Sequence, residues 1–193
     1  MSLVPLVAPA LEPVSLADAK AHLRVDVADD DALISRLITA ARSELERNLN
    51  RALVTQTWTY WLDAWPPGYA VPLPLAPVQS IEQVRIYALD DSFSIVPASG
   101  YLLDGQGSPP RLIRRGSYAW LQPTRPGNGI AIDFTAGHGT QPTDVPAALR
   151  IATLVLIGHW YENRQLADAS GGPAAAPPPM VRDLIDPYRV RRL

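Results

Sequence analysis

The three histidines, His22, His138 and His159, are the first residues to test for chemistry, and they fall on three different predicted elements. No two of them have the spacing by which one helix or turn holds a metal. His159 stands beside Trp160 and Tyr161, where a hydrogen-bonded packing role fits better than ligation. Gly105-Gln106-Gly107 and Gly127-Asn128-Gly129 lack the strand-to-helix setting and the further Gly or Lys of a phosphate loop, so they read as turns. Ser117 lacks the glycines of a nucleophile elbow. The Asp and Glu residues are scattered, and no carboxylate pair for acid–base work stands out. Asp29-Asp30-Asp31 could hold a cation, but carboxylates at a helix start are explained by the positive end of the helix. Arg111, Arg114 and Arg115 with Tyr118 and Trp120 could bind a single nucleic-acid strand by charge and stacking. That patch is small and the net charge is -2, so a strand edge or a subunit contact fits it better. No cofactor, metal or catalytic site is predicted, and the chain is not expected to be an enzyme.

Composition narrows the class further. A content of 47% hydrophobic residues over 193 positions is enough for a real core. The 20 prolines are about twice the usual share of roughly 5% and call for turns, short strands and extended segments. The absence of cysteine excludes a disulfide scaffold, a thiolate zinc site and a cysteine nucleophile. No apolar run approaches the roughly 20 residues of a membrane-spanning helix. Met1-Ser2-Leu3-Val4-Pro5 lacks a basic leader region, so a soluble protein made in a cytoplasm is the expectation.

Local pattern supplies the elements. Val14-Ser15-Leu16-Ala17-Asp18 predicts a helix to about Leu23, with Ser15 as cap, Asp18 returning the bond and Val14 as staple. After the acidic run, Leu33, Ile34, Leu37, Ile38, Ala41, Leu45 and Leu49 share one face of a longer helix that Asn50 can close. The pattern then changes to period two. In Gln56 to Leu62, Trp58, Tyr60 and Leu62 face one way and Thr57, Thr59 and Trp61 the other. Val71 to Leu75 is extended, and its prolines suit only an edge. Further strands are predicted at Val84–Tyr87, Ser94–Val96, Tyr101–Leu103, Arg111–Ile113 and Gly129–Phe134, with a hairpin turn at Asp90-Asp91. A third helix runs from about Pro146 to Asn163, with Pro146 at its first position. Its apolar residues cover most of its circumference, so burial on more than one side is expected, in this subunit or between subunits. Its end, Leu156-Ile157-Gly158-His159-Trp160-Tyr161-Glu162-Asn163-Arg164, carries many aromatic, charged and amide groups without a catalytic partner. It reads as a packing surface between subunits. Ala167 to Pro179 is a low-complexity linker. Beyond it, Met180 to Ile185 predicts a short helix, and the basic, apolar segment to Leu193 reads as a docking tail outside the core.

Several of these blocks, in this order, resemble the head–tail connector (adaptor) proteins of long-tailed bacteriophages, prophages and gene transfer agents. They are VSLADAKAHLRVD, DDDALISRLITAARSELERNLNRAL, VTQTWTYWLDAWP, LPLAPVQSIEQVRIY and IAIDFTAGHGTQPTDVPAALRIATLVLIGHWYENR, spanning Val14 to Arg164. The resemblance implies an α+β fold, a small helical bundle with an inserted antiparallel β-domain and a C-terminal docking arm. The corresponding divisions are the N-terminal helices at 1–53, the β-domain at 54–140, the third bundle helix at 141–166, and linker plus arm at 167–193. It also implies a usually dodecameric ring below the portal, at the head–tail interface of a virion or phage-like particle made in a bacterial cytoplasm. That ring extends the DNA channel without specific DNA binding and offers a platform to the stopper or tail-proximal protein.

A closed ring needs two unlike sticky faces on each subunit, which the aromatic strand and the third helix could supply. Trp160, Tyr161 and Arg164 are expected at a subunit or partner interface, and Leu184, Ile185, Tyr188 and Arg189 against the portal. The alternatives are a β-rich protein-binding module without a ring role, and a small hydrolase whose site is not recognisable. Alanine at Leu184 and Ile185 is expected to weaken portal binding, measured by pull-down, with the domain still folded.

Overall fold

The computed structural model describes residues 1–105, 107–116, 118–163 and 178–190. Strand β1 (Ser2–Val7) precedes helix α1 (Leu16–Leu23). The α1 start is a complete capping box. The Ser15 hydroxyl oxygen accepts the Asp18 N–H at 3.0 Å, and the Asp18 carboxylate accepts the Ser15 N–H at 3.2 Å. Two orphan helix donors are thereby satisfied. The Ser15 hydroxyl and backbone hold the Asp18 carboxyl below its ordinary range.

Helix α2 (Asp31–Leu49) buries Ile34, Ile38, Ala41, Leu45 and Leu49 along one stripe. It closes at Asn50, whose φ of 53° is left-handed and whose N–H reaches Glu46 O.

The strands follow as β2 (Gln56–Leu62), β3 (Ala70–Pro72), β4 (Val78–Tyr87), β5 (Phe93–Ile95), β6 (Tyr101–Asp104), β7 (Arg111–Arg114) and β8 (Ile130–Ala136). Five form an antiparallel sheet in the order β1-β2-β8-β4-β5, and three form a second in the order β3-β7-β6. On the inner face of the larger sheet, Leu62, Val84, Ile86, Ile130, Ile132 and Phe134 meet Val71, Leu73, Leu112 and Trp120. The predicted alternation of β2 holds, with Trp58, Tyr60 and Leu62 turned to this core. The prolines of the 71–75 segment are tolerated because β3 is an edge.

Strand β1 is a finding the sequence pattern did not give. It pairs with β2 as an edge strand and belongs to the β-domain, so residues 1–53 are not helices alone. Pro5 is tolerated there, beside a register slip between Pro5 and Val7.

Helix α3 (Ala147–Glu162) follows β8, and α4 (Pro179–Ile185) leads into a 3-10 turn at Asp186–Tyr188. Pro146 is the cap of α3 rather than its first residue. The α3 stripe Leu149, Ala152, Thr153, Leu156 and Ile157 is buried on one side. Among the described residues, burial on the other sides is incomplete, since Ile151 is 44% exposed and Leu154 and Val155 are only partly covered.

The expectation that the segment after the linker lies outside the core is corrected. Val181 and Ile185 of α4 belong to the core shared by α1, α2 and α3, and Val190 is buried as well. The Val190 N–H bonds Leu49 O at 3.1 Å, and Arg51 Nε donates to Tyr188 O. The apolar spacing of Val181 and Ile185 meets an apolar stripe on its own subunit, which makes α4 a core element.

Gly137 closes the β-domain onto the helices. Its φ is 135°, and a Cβ there would sit 2.6 Å from the backbone of Val54 and Thr55. Gly137→Ala is therefore expected to cost more than about 1 kcal/mol in urea unfolding. Ile185→Ala is expected to cost about 2–5 kcal/mol in the same assay, through the cavity it leaves in the helical core.

Candidate assembly surfaces

The surfaces of the two halves are held in register by one buried carboxylate. Glu46, in the last turns of α2, is 9% exposed. Its Oε1 accepts the Leu53 N–H at 2.8 Å and the Gln56 Nε2 at 2.7 Å. Its Oε2 takes Arg42 Nη1 at 2.8 Å, and Arg42 Nε bonds Glu12 Oε2 at 2.7 Å. Helix, linker and the first residue of β2 thus converge on one group. Burial is the main influence on Glu46 and holds its carboxyl above the usual range, against the pull of the Leu53 N–H, Arg42 and Gln56. Burial also works against the Arg42 charge, but Glu12 and Glu46 keep its pKa above the ordinary value.

The outer face of the larger sheet is open. Register places Val4, Val7, Thr57, Thr59, Trp61, Ala131, Asp133, Thr135, Arg85, Tyr87, Phe93 and Ile95 on it. At its centre Arg85 Nη2 lies 2.7 Å from Asp133 Oδ2, and the Thr59 hydroxyl donates to Asp133 Oδ1 at 2.7 Å. Trp61, Tyr87 and Phe93 line up with successive ring centroids 5.6 Å apart. Arg125 lies over the Tyr87 ring at 5.3 Å and pairs with Asp91 at 3.4 Å. Sequence reading missed this arrangement. Its trace in the sequence is one Arg between Val84 and Ile86 and one Asp between Ile132 and Phe134, each interrupting an apolar strand.

The residues singled out at the α3 end lie partly inside the subunit. Trp160 and Tyr161 pack against the helical core, and the Tyr161 hydroxyl donates to Asp30 Oδ2 at 2.5 Å. Asn163 Nδ2 bonds His159 O at 2.7 Å. Arg164 lies outside the described residues. At the other end, Leu184 is partly buried against the core, Ile185 is 4% exposed, and Tyr188 is partly buried. Arg189 is exposed and 3.8 Å from Asp186.

The other candidates are engaged within the fold. In the acidic run, Asp31 pairs with Lys20 at 2.6 Å and Asp30 accepts from Tyr161. In the arginine patch, Arg111 pairs with Asp104 at 2.6 Å, Arg114 lies over Tyr69 at 5.0 Å, and Arg115 Nε donates to Tyr101 O. Trp120 is buried against Trp65, with ring centroids 4.2 Å apart. A groove of about 610 Å³ opens between the two sheets, lined by Tyr60, Leu62, Val71 and Leu73 with several prolines. Arg111 on its wall is already paired, and the groove has no convergent ionisable set.

Residues 13–91 match the sequence family described as phage gp6-like head-tail connector protein. A solved structure described as "Neck of empty GTA particle computed with C6 symmetry" contains a chain 30% identical, with a TM-score of 0.84 over 100% of this chain and 97% of that one. A chain in "Virion of native gene transfer agent (GTA) particle" is 28% identical, with a TM-score of 0.84 and the same coverage, 100% and 97%. A chain in "Neck of native GTA particle computed with C12 symmetry" is 28% identical, with a TM-score of 0.80, again over 100% and 97%. Comparison with curated proteins gives no match.

Glu46→Ala is expected to cost about 3–5 kcal/mol in urea unfolding, because it leaves Arg42, Gln56 and the Leu53 N–H without their acceptor. The pH dependence has a definite sign. A carboxyl with a raised folded-state pKa binds its proton more tightly folded than unfolded, so its contribution falls as pH rises through that raised value. The difference between wild type and variant should then be largest in acid and shrink above it, as read from unfolding midpoints across pH.

Proposed function

Because this chain belongs to the phage gp6-like head–tail connector family, we propose that it assembles as a ring below the portal of a phage-like particle. In that position it extends the DNA channel and gives the stopper or tail-proximal protein its platform. The observation that carries this reading is the likeness along the whole chain to chains from necks computed with C6 and C12 symmetry. A ring of one chain repeats a single heterologous contact until it closes. The role is structural rather than enzymatic. It requires rigid subunits with persistent surfaces, and the Glu46 junction supports that rigidity between the halves.

The charge balance supports free passage of DNA. A net charge of -2 gives the chain no general grip on a polyanion. The partly covered Trp160 and Tyr161, with Arg164, are proposed to contribute to a subunit or partner contact at the end of α3. The portal contact is proposed for the outward side of α4 and the turn after it, where Arg189 is exposed and Leu184 and Tyr188 are partly so. Ile185 acts there by anchoring α4 to its own subunit, since its side chain faces the core. Synthesis in the bacterial cytoplasm before assembly belongs to the same proposal.

Light scattering with negative-stain microscopy, on the chain alone and mixed with its portal, tests the ring. A closed ring in either sample is the expected outcome, with dodecamers in the assembled state. A single chain that ignores the portal overturns the reading in favour of a β-rich binding module.

A further inference from the structure

We propose that the open outer face of the five-stranded sheet is where the next copy of this chain seats in the ring. The inference rests on the ring reading above and names the surface that reading lacks. Solvated faces of antiparallel sheets are polar. This one carries Val4, Val7, Phe93 and Ile95, which are 46%, 57%, 50% and 55% exposed, beside the partly exposed Trp61 and Tyr87. The opposite face of the same sheet packs against the smaller sheet, and its apolar residues are buried or partly buried.

The arginines of the outer face are paired with carboxylates within it. Arg85 and Asp133 pair at 2.7 Å, and Arg125 and Asp91 pair at its border. The Glu82 carboxylate accepts the Ser80 and Thr135 hydroxyls at 2.5 and 2.8 Å. Covering such a face strands neither ion pair, and the one unpaired carboxylate, Glu82, keeps two hydroxyl donors, so the desolvation cost of an interface is reduced here. An aromatic row flanked by aliphatic side chains, with few free charges, is the composition of an interface centre.

The same observations select the occupant. A face with its arginines already paired offers nothing to DNA phosphates. A copy of this chain, at net charge -2, brings no strong field to a surface whose arginines are already paired. The structures that share this fold along its whole length have cyclic symmetry, which demands one surface that receives and a different one that is received. Contact across the face is favoured over extension of the sheet edge. β1 carries Pro5 and a register slip, and β5 is three residues long, so both edges are poor templates for another strand.

The chain has no cysteine, so a single introduced thiol reports on one place only. Ile95→Cys, labelled with a photoactivatable benzophenone and assembled with the portal, is expected to give adducts between two copies of this chain. Adducts to the portal alone, or none in an assembled ring, overturn the proposal. In a second arm, Phe93→Asp with Ile95→Asp is expected to shift the scattering mass from ring to single chain with the melting temperature unchanged. Leu102→Asp, on the smaller sheet, should leave the ring intact. Rings that persist in the double variant overturn the proposal. Wild-type chain that forms no ring with the portal sinks the connector reading itself, and this inference with it.

Discussion

The buried Glu46 carboxylate is the constraint on which the remaining architecture depends. It sits at the end of a helix where the chain must leave for a sheet, and one acceptor group there holds three donors from three segments. A hydrophobic contact has no direction and would let the sheet swivel on the helices. Hydrogen bonds to one carboxylate fix an angle as well as a distance. The cost of burying the group is visible in its raised pKa, and Arg42, itself anchored by Glu12, offsets that cost.

Around this junction the chain builds two separate cores. One is helical, from α1, α2, α3 and α4, and the other lies between two antiparallel sheets. The segments that join them are tied at several places. Ala52 and Ala76 bond across the gap, Ala76 also reaches Asn50, and Gly137 passes close enough to Val54 that only a glycine fits. The return of α4 and Val190 to Leu49 and Arg51 closes the helical half over the same junction. For a subunit that repeats around an axis, this matters physically. A small angular error between halves would accumulate from one neighbour to the next and prevent closure.

The charged groups tell the same story from the surface. Most arginines that stand out in the sequence are paired, stacked or bonded within the subunit, as Arg42, Arg85, Arg111 and Arg114 illustrate. In the proposed position beside a path for DNA, few free cations would be an advantage, because each would add affinity for a passing phosphate. The aromatic residues divide similarly between structure and surface. Trp120 and Trp65 stack within the β-domain, while Trp61 and Tyr87 remain on the open sheet face.

What the sequence alone determined is local. The Ser15–Asp18 capping box, the apolar stripe from Ile34 to Leu49, the left-handed Asn50 and the alternation of Trp58, Tyr60 and Leu62 depend on neighbours a few residues away, and each was legible. The order of blocks was also enough to reveal the connector family. What only tertiary structure decided depends on partners distant in sequence. Ser2–Val7 becomes a strand because β2 offers a free edge more than fifty positions on. That Ile185 packs into the core of its own subunit depends on the stripe on the other helices, which no spacing within α4 encodes. Arg85 and Asp133 look like solvated residues in their own strands and become a part-buried pair only when β4 and β8 adopt their register. The physical reason is the same in each case. Periodicity and capping are properties of a short chain, whereas a hydrogen-bond partner, a buried charge and a covered face are properties of what the fold brings alongside.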